Sequence, residues 1–203
     1  MEDGTALKRE VRRDLLAVRA AMADDEVAQA AEALARRALE LPELAAAGTV
    51  AAYVSMGHEP GTTGLLSALR ERGTRVLLPV LLADDDLDWA EYEGPGRLVE
   101  AEHGGGRIRL LEPAGPRLGP AAVTEADVVL LPGLAVDRRG VRMGRGGGSF
   151  DRVLARLAAS GAQSALVALV YGHEVVEELP REPHDRPVHA VVTPEDVRRF
   201  SRD

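Results

Sequence analysis

Glycines and arginines cluster in residues 132–151, PGLAVDRRGVRMGRGGGSFD, where their types and spacing suit the binding of phosphate. Gly144, Gly146, Gly147 and Gly148 allow positive φ angles, which bring backbone N–H groups close to a ligand. The segment leaves a predicted buried strand and enters a predicted helix, which is where α/β sheets bind ligands. We therefore expect an anion site here; a flexible solvated loop before a capped helix is the alternative.

Side chains around these glycines extend the same chemistry. Arg142 and Arg145 carry planar, permanently charged groups that match phosphate oxygens. Ser149 is a candidate helix cap, and the N–H groups at a helix start favour an anion. Asp151, in the first turn of that helix, can hold Mg²⁺ through a carboxylate oxygen beside the phosphates.

Motifs of several other enzyme classes do not match. The Walker A pattern needs a glycine before a lysine, which the chain lacks, and Ser149 replaces the third glycine of the dinucleotide pattern GxGxxG. His173 and Glu174 begin HEVVE, which lacks the second histidine of a zinc hydrolase. The GxSxG nucleophile motif is also missing from the sequence. P-loop, zinc-hydrolase and serine-hydrolase chemistry are therefore not supported.

Length and composition restrict the class of protein. The 203 residues fit one domain, the formal net charge is −8, and cysteine is absent. An acidic chain is not expected to bind nucleic acid through charge, and no apolar run reaches the roughly 18–20 residues of a membrane span. Because the N-terminus is not signal-like and cysteine is missing, we expect a cytoplasmic protein without disulfides.

The N-terminal residues 5–41 are predicted to form two helices. Apolar residues at spacings of three and four predict a core-facing stripe on the first helix, made of Leu7, Val11, Leu15, Val18 and Met22. Asp24 or Asp25 can cap the second helix, which Pro42 ends or bends.

The rest of the chain alternates between predicted strands and helices. Residues 93–122 contain eleven glycines and prolines and are predicted to be a loop with brief extended pieces. Strands are expected at residues 49–55, 75–82, 87–92, 127–131, 164–171 and 188–193, and helices at 62–72, 149–160 and 194–200. This order predicts a single α/β domain over residues 1–203, with a mostly parallel sheet and helices on both faces.

The glycine segment resembles the signature of the 5-formyltetrahydrofolate cyclo-ligase family, whose members are also called 5,10-methenyltetrahydrofolate synthetases. Most of the family's PGxxFDxxGxRLGxGxGYYD-like stretch can be read in residues 132–151. Further matches occur in the family's order: Lys8 and Arg12 on the first helix, the loop 55–59 (SMGHE), and Asp185 before the last strand. Together these matches span nearly the whole chain.

The resemblance implies a phosphosugar isomerase and CoA transferase-like fold and an enzyme of folate metabolism. Members of the family convert 5-formyltetrahydrofolate to 5,10-methenyltetrahydrofolate with ATP as co-substrate and Mg²⁺ as cofactor, releasing ADP and phosphate. The formyl oxygen would attack the γ-phosphate, and N10 would close the ring as phosphate leaves. A cytoplasmic monomer that binds neither nucleic acid nor membranes is expected.

By the same resemblance, the ATP site combines the first helix with the glycine segment. Arg145 and Lys8 are the expected catalytic residues, and Arg145 is best placed to stabilise the transferring phosphoryl group. By spacing alone, Lys8 and Arg12 are better explained as part of a solvated basic stripe. The residues expected to bind ATP are Lys8, Arg9, Arg12, Arg142, Met143, Gly144, Arg145, Gly146, Gly147, Gly148 and Ser149.

The resemblance also implies the folate and metal ligands. Asp151 and Asp185 would coordinate Mg²⁺. By residue type alone, Glu59 fits a capping or solvated loop carboxylate, and Asp185 fits a turn. The residues expected to bind folate are Val54, Glu59, Arg145, Gly146, Gly147, Gly148, Ser149 and Phe150.

The sequence departs from the family pattern at three places. Ser149 and Phe150 replace paired tyrosines, His189 stands where Asp is usual, and residues 110–113 (LLEP) lack a glycine. These changes affect expected folate contacts rather than phosphate or metal ligands. Two alternatives remain: a non-catalytic folate- or nucleotide-binding relative, and a phosphosugar isomerase or CoA transferase-like enzyme that needs no nucleotide.

Lys8 is the single lysine among 25 basic residues, and the resemblance places it on the ATP phosphates. We predict that Lys8→Ala raises the KM for ATP far more than the KM for folate, because the ammonium would contact only phosphate. Lys8→Arg should also impair ATP use, since a guanidinium fork does not replace a compact point charge. Steady-state kinetics with each substrate varied in turn test this, and equal effects on both KM values would contradict the phosphate role.

Overall fold

A seven-stranded sheet with helices on both faces forms the framework of the chain. The computed structural model describes residues 2–106, 108–180 and 186–200. The helices in these residues are α1 (Glu2–Ala21), α2 (Asp24–Leu39), α3 (Pro42–Ala46), α4 (Thr63–Glu71) and α5 (Ser149–Ser160). The strands are β1 (Thr49–Ala51), β2 (Arg75–Leu81), β3 (Leu87–Glu91), β4 (Leu98–His103), β5 (Ile108–Pro113), β6 (Val128–Pro132), β7 (Ala135–Asp137), β8 (Arg142–Met143), β9 (Ala165–Leu169), β10 (Val175–Val176), β11 (Ala190–Val192) and β12 (Val197–Arg199).

The large sheet is parallel in its centre and antiparallel at its edges. Its strand order is β12-β11-β9-β6-β1-β2-β3. Val50 of β1 pairs in parallel with Val76 of β2 on one side and with Val128 of β6 on the other. Strands β3 and β12 pair antiparallel with their neighbours and close the two edges. The prediction of a mostly parallel sheet is confirmed.

Alternating side chains of the central strands form two apolar cores. Val128 and Leu130 of β6 belong to the core under α2, α3 and α4. Val129 and Leu131 belong to the opposite core, which packs under α5. A strand turns successive side chains to opposite faces, so continuous apolar runs are what a doubly covered sheet requires. Helices on both faces are therefore confirmed.

The prediction of a loop over residues 93–122 is wrong, because β4 and β5 form an antiparallel hairpin there. Many of its glycines lie in the connections, where Gly94, Gly105 and Gly119 have positive φ, rather than within the strands. The buried carboxylate of Glu112 accepts a hydrogen bond from the Leu81 N–H at 3.0 Å and lies 2.8 Å from His103 Nε2. The hairpin is thus attached to β2 through a charged side chain.

The predicted helix at residues 194–200 is also wrong, since β12 forms an antiparallel edge strand there. The Thr193 hydroxyl accepts hydrogen bonds from the Glu195 and Asp196 N–H groups, at 3.2 and 2.9 Å, and these bonds close a tight turn. The chain then returns along β11, where the Phe200 N–H donates to the His189 carbonyl at 2.9 Å. The turn leaves too few residues for a helix.

A small sheet of order β10-β7-β8 was not predicted. Its strands are only two or three residues long, which gives no detectable period in the sequence. The buried carboxylate of Asp137 holds this region together, because it accepts hydrogen bonds from the Val141 and Leu179 N–H groups at 2.9 and 3.1 Å. Two strands of the small sheet, β7 and β8, belong to the glycine-rich segment of residues 132–151.

Two predicted helix caps differ from those in the structure. α2 has Ala23 at its N-cap, and the Glu26 carboxylate accepts the Ala23 N–H at 2.9 Å in place of a cap by Asp24 or Asp25. α5 has Gly148 at its N-cap with φ of 76°, so Ser149 is the first helical residue rather than the cap. In both cases the helix begins about where the sequence predicts it.

The predicted apolar stripe of α1 is only partly correct. Leu7 and Val18 are 50% and 47% exposed. Val11 and Leu15 do face the domain, where they pack against a small cluster formed by Ala135, Val141, Met143 and Leu179. The deeply buried α1 residue toward the C-terminal end is a charged one, Arg19, which is 2% exposed.

Arg19 joins α1 to the sheet through a buried ion pair. Its Nε lies 2.5 Å from Glu174 Oε1, and its Nη2 donates to Glu174 Oε2 at 2.9 Å and to the Gly133 carbonyl at 2.6 Å. The Tyr171 N–H donates to the same carboxylate at 2.9 Å. Burial lowers the pKa of Arg19, but the hydrogen bond and charge of Glu174 outweigh burial and raise it overall. Both charges are therefore neutralised where α1 crosses the end of β6.

We predict that Glu174→Gln destabilises the protein by about 3–5 kcal/mol, because Arg19 would remain a buried charge without its counterion. Urea unfolding followed by circular dichroism measures this change. Glu93→Gln is the matched control: it removes the exposed Arg97 pair, whose atoms lie 3.1 Å apart. Its effect should stay below about 1 kcal/mol. A similarly small loss for Glu174→Gln would contradict the anchoring role.

Candidate functional site

Two adjoining cavities lie at the carboxyl end of the parallel strands. The first, which we call the polar cavity, has a volume of about 160 Å³ and is lined by Arg12, Glu59, Pro132, Gly133, Arg142, Gly144, Arg145, Gly146, Gly147, Gly148, Ser149, Phe150 and Asp151. The second, the apolar cavity, has a volume of about 240 Å³ and is lined by Tyr53, Val54, Met56, Glu59, Pro79, Leu81, Leu87, Leu110, Leu111, Pro132, Arg145, Ser149 and Phe150. The two cavities share Glu59, Pro132, Arg145, Ser149 and Phe150.

The glycine segment forms the floor of the polar cavity because of its backbone conformation. Gly146 has φ of 105° and Gly148 has φ of 76°, values that L side chains rarely adopt. α5 starts directly after Gly148, and the first N–H groups of a helix have no partner within the helix. Backbone donors and the positive end of a helix thus lie together, as an anion site needs.

Arg142 holds this segment in place rather than standing free in the cavity. Its Nη1 donates to the Pro132 carbonyl at 2.9 Å and its Nη2 donates to Asp151 Oδ1 at 2.6 Å. A Cβ on Gly144 would lie 2.9 Å from the Arg142 Nη1, so a larger residue there would displace the Arg142 guanidinium. The Arg142 guanidinium, which the sequence predicts to bind phosphate, therefore fixes the two ends of the glycine segment relative to each other.

The first helix brings one of its predicted cations to the polar cavity. Arg12 Nε donates to the Gly144 carbonyl at 3.0 Å. Lys8 is half-buried one helical turn earlier, about 6 Å along the axis, and Arg9 is exposed. Of these three cations, only Arg12 is among the described residues that line the cavity. Lys8 and Arg9 would therefore contact only a ligand that extends out of the polar cavity toward the start of α1.

Met143 does not line either cavity, although it was expected to bind ATP. It is 4% exposed and packs in the apolar cluster under α1 with Ala135, Val141 and Leu179. Because β8 places Arg142 and Met143 on opposite sides, the first faces the site and the second faces the small core. Met143 supports the segment from beneath.

Glu59 and Arg145 form the boundary between the two cavities. Glu59 Oε1 lies 3.2 Å from Arg145 Nε, and Glu59 Oε2 accepts the Met56 N–H at 2.9 Å. The Glu59 side chain is 10% exposed, whereas that of Arg145 is 46% exposed. A largely buried carboxylate thus has a half-exposed guanidinium as its counterion.

Aromatic and aliphatic side chains shape the apolar cavity. The Phe150 ring meets the Tyr53 ring edge to face, with centroids 6.3 Å apart. Val54 continues this wall, and the hairpin contributes Leu110 and Leu111 from the opposite side. Phe150 therefore provides an apolar surface where the family has a tyrosine. Walls of this kind accept a flat ring system.

Asp151 is the described carboxylate that suits Mg²⁺. Its side chain is 54% exposed, lines the polar cavity and is oriented by Arg142. The described residues contain no group of three or more acidic or histidine side chains that could hold a metal. Mg²⁺ is commonly bound by one or two carboxylates together with substrate phosphates, so a single carboxylate beside an anion site fits it. The other predicted ligand, Asp185, lies outside the described residues.

The comparison with known proteins identifies the family. Residues 4–194 match the 5-formyltetrahydrofolate cyclo-ligase family. The chain belongs to this family. A protein of Mycolicibacterium smegmatis named 5-formyltetrahydrofolate cyclo-ligase is 46% identical over 151 residues, covering 72% of this chain and 73% of that one. The Escherichia coli K12 protein of the same name is 32% identical over 181 residues, covering 88% and 96%.

Solved structures show the same fold. The 5,10-methenyltetrahydrofolate synthetase of Aquifex aeolicus superposes with a TM-score of 0.78 at 29% identity, covering 97% of this chain and 94% of that one. The Mycoplasma pneumoniae synthetase, at 17% identity, superposes with a TM-score of 0.70 over 92% of this chain and 98% of that one. The chain is thus an enzyme of the cyclo-ligase class, and the isomerase, transferase and non-catalytic alternatives are not favoured.

We predict that Gly146→Ala weakens the binding of ATP about tenfold, because the φ of 105° is strained for a residue with a Cβ and the floor of the polar cavity must change shape. Gly147→Ala is the matched control. Gly147 has an ordinary φ, and its added Cβ would meet nothing within 4 Å. Isothermal titration calorimetry with ATP compares the two variants, and equal losses would show that backbone conformation does not shape the site.

Proposed function

We propose that this protein converts 5-formyltetrahydrofolate to 5,10-methenyltetrahydrofolate at the expense of ATP, with release of ADP and phosphate. The observation that carries the proposal is the pair of adjoining cavities. One has the backbone donors and cations that a triphosphate needs, and the other has the apolar walls that a pterin needs. Their shared boundary is where a formyl oxygen and a γ-phosphate would meet.

The reaction consists of two displacements. The formyl oxygen forms a bond to the γ-phosphorus as the bond to the leaving ADP oxygen breaks. N10 then attacks the activated formyl carbon, the ring closes, and the carbon–oxygen bond to phosphate breaks with loss of the N10 proton. Holding both ligands in line supplies most of the catalysis, since the transferring group needs positioning and neutralised charge.

Arg145 is the residue we assign to the transferring phosphoryl group. It belongs to both cavities and is half-exposed, so its guanidinium can turn toward a phosphate that enters beside it. Gly146, Gly147 and Gly148 supply backbone N–H groups on the same side. Stabilisation by such preorganised donors is often the largest single contribution to catalysis.

The first helix is assigned to the outer part of the triphosphate. Arg12 already borders the polar cavity, and Lys8 shares its helix face one turn away. Arg9 lies at the exposed margin of the same turn. We propose that Arg12 contacts phosphate directly and that Lys8 meets the phosphate chain where it leaves the cavity.

Mg²⁺ is the cofactor we propose, held by Asp151 with Asp185 as the second expected ligand. When bound, the metal would neutralise phosphate charge. Arg142 orients the Asp151 carboxylate through its hydrogen bond to Oδ1, which leaves Oδ2 directed elsewhere.

The folate is assigned to the apolar cavity. Val54 and Phe150 would contact the pterin ring, Ser149 lies beside them, and the Glu59 carboxylate would accept a hydrogen bond from a pterin N–H. We further propose a cytoplasmic monomer that binds no nucleic acid, in keeping with the net charge of −8. No helix in the described part of the chain is long and apolar enough to span a membrane.

The formation of the methenyl chromophore tests the proposed function. Purified protein, 5-formyltetrahydrofolate, ATP and Mg²⁺ are mixed, and absorbance is followed while ADP is quantified. We expect one ADP for each methenyl product. Tight folate binding without turnover would instead favour a non-catalytic relative, and turnover without ATP would contradict the proposed use of the polar cavity.

We predict that Asp151→Asn raises the Mg²⁺ concentration needed for half-maximal activity by about tenfold, because a neutral amide is a much weaker ligand than a carboxylate. A Mg²⁺ titration of the turnover rate at saturating ATP measures the change. Asp84→Asn serves as a control, since Asp84 lies in the exposed turn before β3. An unchanged titration for Asp151→Asn would remove this residue from the metal site.

A further inference from the structure

Arg145 is the cation in direct contact with the Glu59 carboxylate in the described structure, and the buried charge of Arg19, which is paired with Glu174, acts on Glu59 from farther away. It is buried, with one oxygen accepting the Met56 N–H at 2.9 Å and the other lying 3.2 Å from Arg145 Nε. Its residue is 8% exposed, so water is a poor substitute for a missing partner. A buried carboxylate that loses its counterion is strongly destabilised. Glu59 therefore depends on what Arg145 does.

Arg145 has a second task under the proposed function, on which this inference rests. The same guanidinium must turn toward the γ-phosphate when ATP occupies the polar cavity. When Arg145 turns, Glu59 Oε1 loses its ion-pair partner in the wall between the cavities. The ATP-bound enzyme then needs another hydrogen-bond donor for Glu59, or the cost of the unpaired carboxylate will oppose catalysis.

Tyr53 carries a donor that nothing in the described structure uses. Its hydroxyl is fully buried and has no hydrogen-bond partner among the described residues, although its ring lines the apolar cavity alongside Glu59. Buried hydroxyls are rarely left without a partner, so each one calls for an explanation. The loop that carries both residues is closed tightly, since the Thr62 hydroxyl donates to the Tyr53 carbonyl at 2.8 Å.

We propose that Tyr53 is a positioning residue for Glu59: its buried hydroxyl donates to the Glu59 carboxylate when ATP draws Arg145 away. The edge-to-face contact with Phe150 keeps the Tyr53 ring in place beside the boundary. The hydroxyl remains a neutral donor, because burial raises the pKa of Tyr53 well above its ordinary value and the charge of Glu59 raises it further. The Glu59 carboxylate thus keeps a hydrogen-bonded position while it binds the folate.

The test compares Tyr53→Phe with the wild type in turnover and in binding. Removing the hydroxyl should lower kcat/KM for 5-formyltetrahydrofolate about tenfold at saturating ATP, which is the usual scale for a hydrogen bond to a charged group. Binding of 5-formyltetrahydrofolate alone, measured by calorimetry, should be unchanged, since Arg145 still pairs with Glu59 when ATP is absent. The melting temperature of the ligand-free variant should equal or exceed that of the wild type, because an unpaired buried hydroxyl is removed.

Two further variants distinguish positioning from a general structural effect. Tyr92→Phe is the matched control, since the Tyr92 hydroxyl lies 3.4 Å from Ser67 Oγ and its residue is not among those lining either cavity. It should leave kinetics unchanged. In a Glu59→Gln background, Tyr53→Phe should have little additional effect on kcat/KM, because residues that act through one another are not additive.

Several results would overturn the inference. If the Tyr53→Phe enzyme turns over like the wild type, Arg145 must contact the phosphate and Glu59 at the same time through different nitrogen atoms. Weaker folate binding in the absence of ATP would mean that Tyr53 contacts folate directly. Wild-type turnover is measured first, so failure of the proposed function itself would appear as absent product formation before any variant is compared.

Discussion

The buried ion pair between Arg19 and Glu174 fixes the geometry on which the site depends. α1 has few apolar contacts with the rest of the chain, and Leu7 and Val18 on it are exposed. It is held mainly by a bidentate charge pair near its C-terminal end and by the contact of Arg12 with Gly144 near its middle. Arg12 and Arg19 are seven residues apart, or about two helical turns, so they share one face. The same charged face that attaches the helix therefore presents cations to the polar cavity.

The sequence predicted the helices and strands that bury a regular apolar pattern. It did not predict those that lack such a pattern. α5 lies where it was predicted because it has a strong amphipathic period and ends at glycines, Gly148 and Gly161. The hairpin of β4 and β5 was missed because glycines and prolines in its turns outweighed the short alternating segments between them. Its attachment through Glu112 to the backbone of β2 is a long-range contact. No local rule predicts it, since burial of a carboxylate is decided by tertiary structure.

The motif resemblance pointed to many residues that line the two cavities, but it did not predict the contacts that each of them makes. Arg142 was expected to bind phosphate, yet its hydrogen bonds to Pro132 and Asp151 give it the task of shaping the segment. Met143 was expected in the same set and is buried in a separate core. Tyr53 was not singled out at all, because a tyrosine in an apolar strand is ordinary until its hydroxyl is found without a partner. Roles depend on which groups are already paired, and pairing is visible only in three dimensions.

The boundary between the cavities explains why one wall must serve two ligands. In-line transfer from ATP to a formyl oxygen requires the γ-phosphate and the folate to touch, so no thick partition of protein can separate them. Glu59 and Arg145 form that thin partition in the ligand-free protein and neutralise each other there. Each is also the residue best suited to one of the two ligands. Under the proposed function, ATP would draw Arg145 out of this pair while Glu59 binds the folate, so the pair would couple the two substrates.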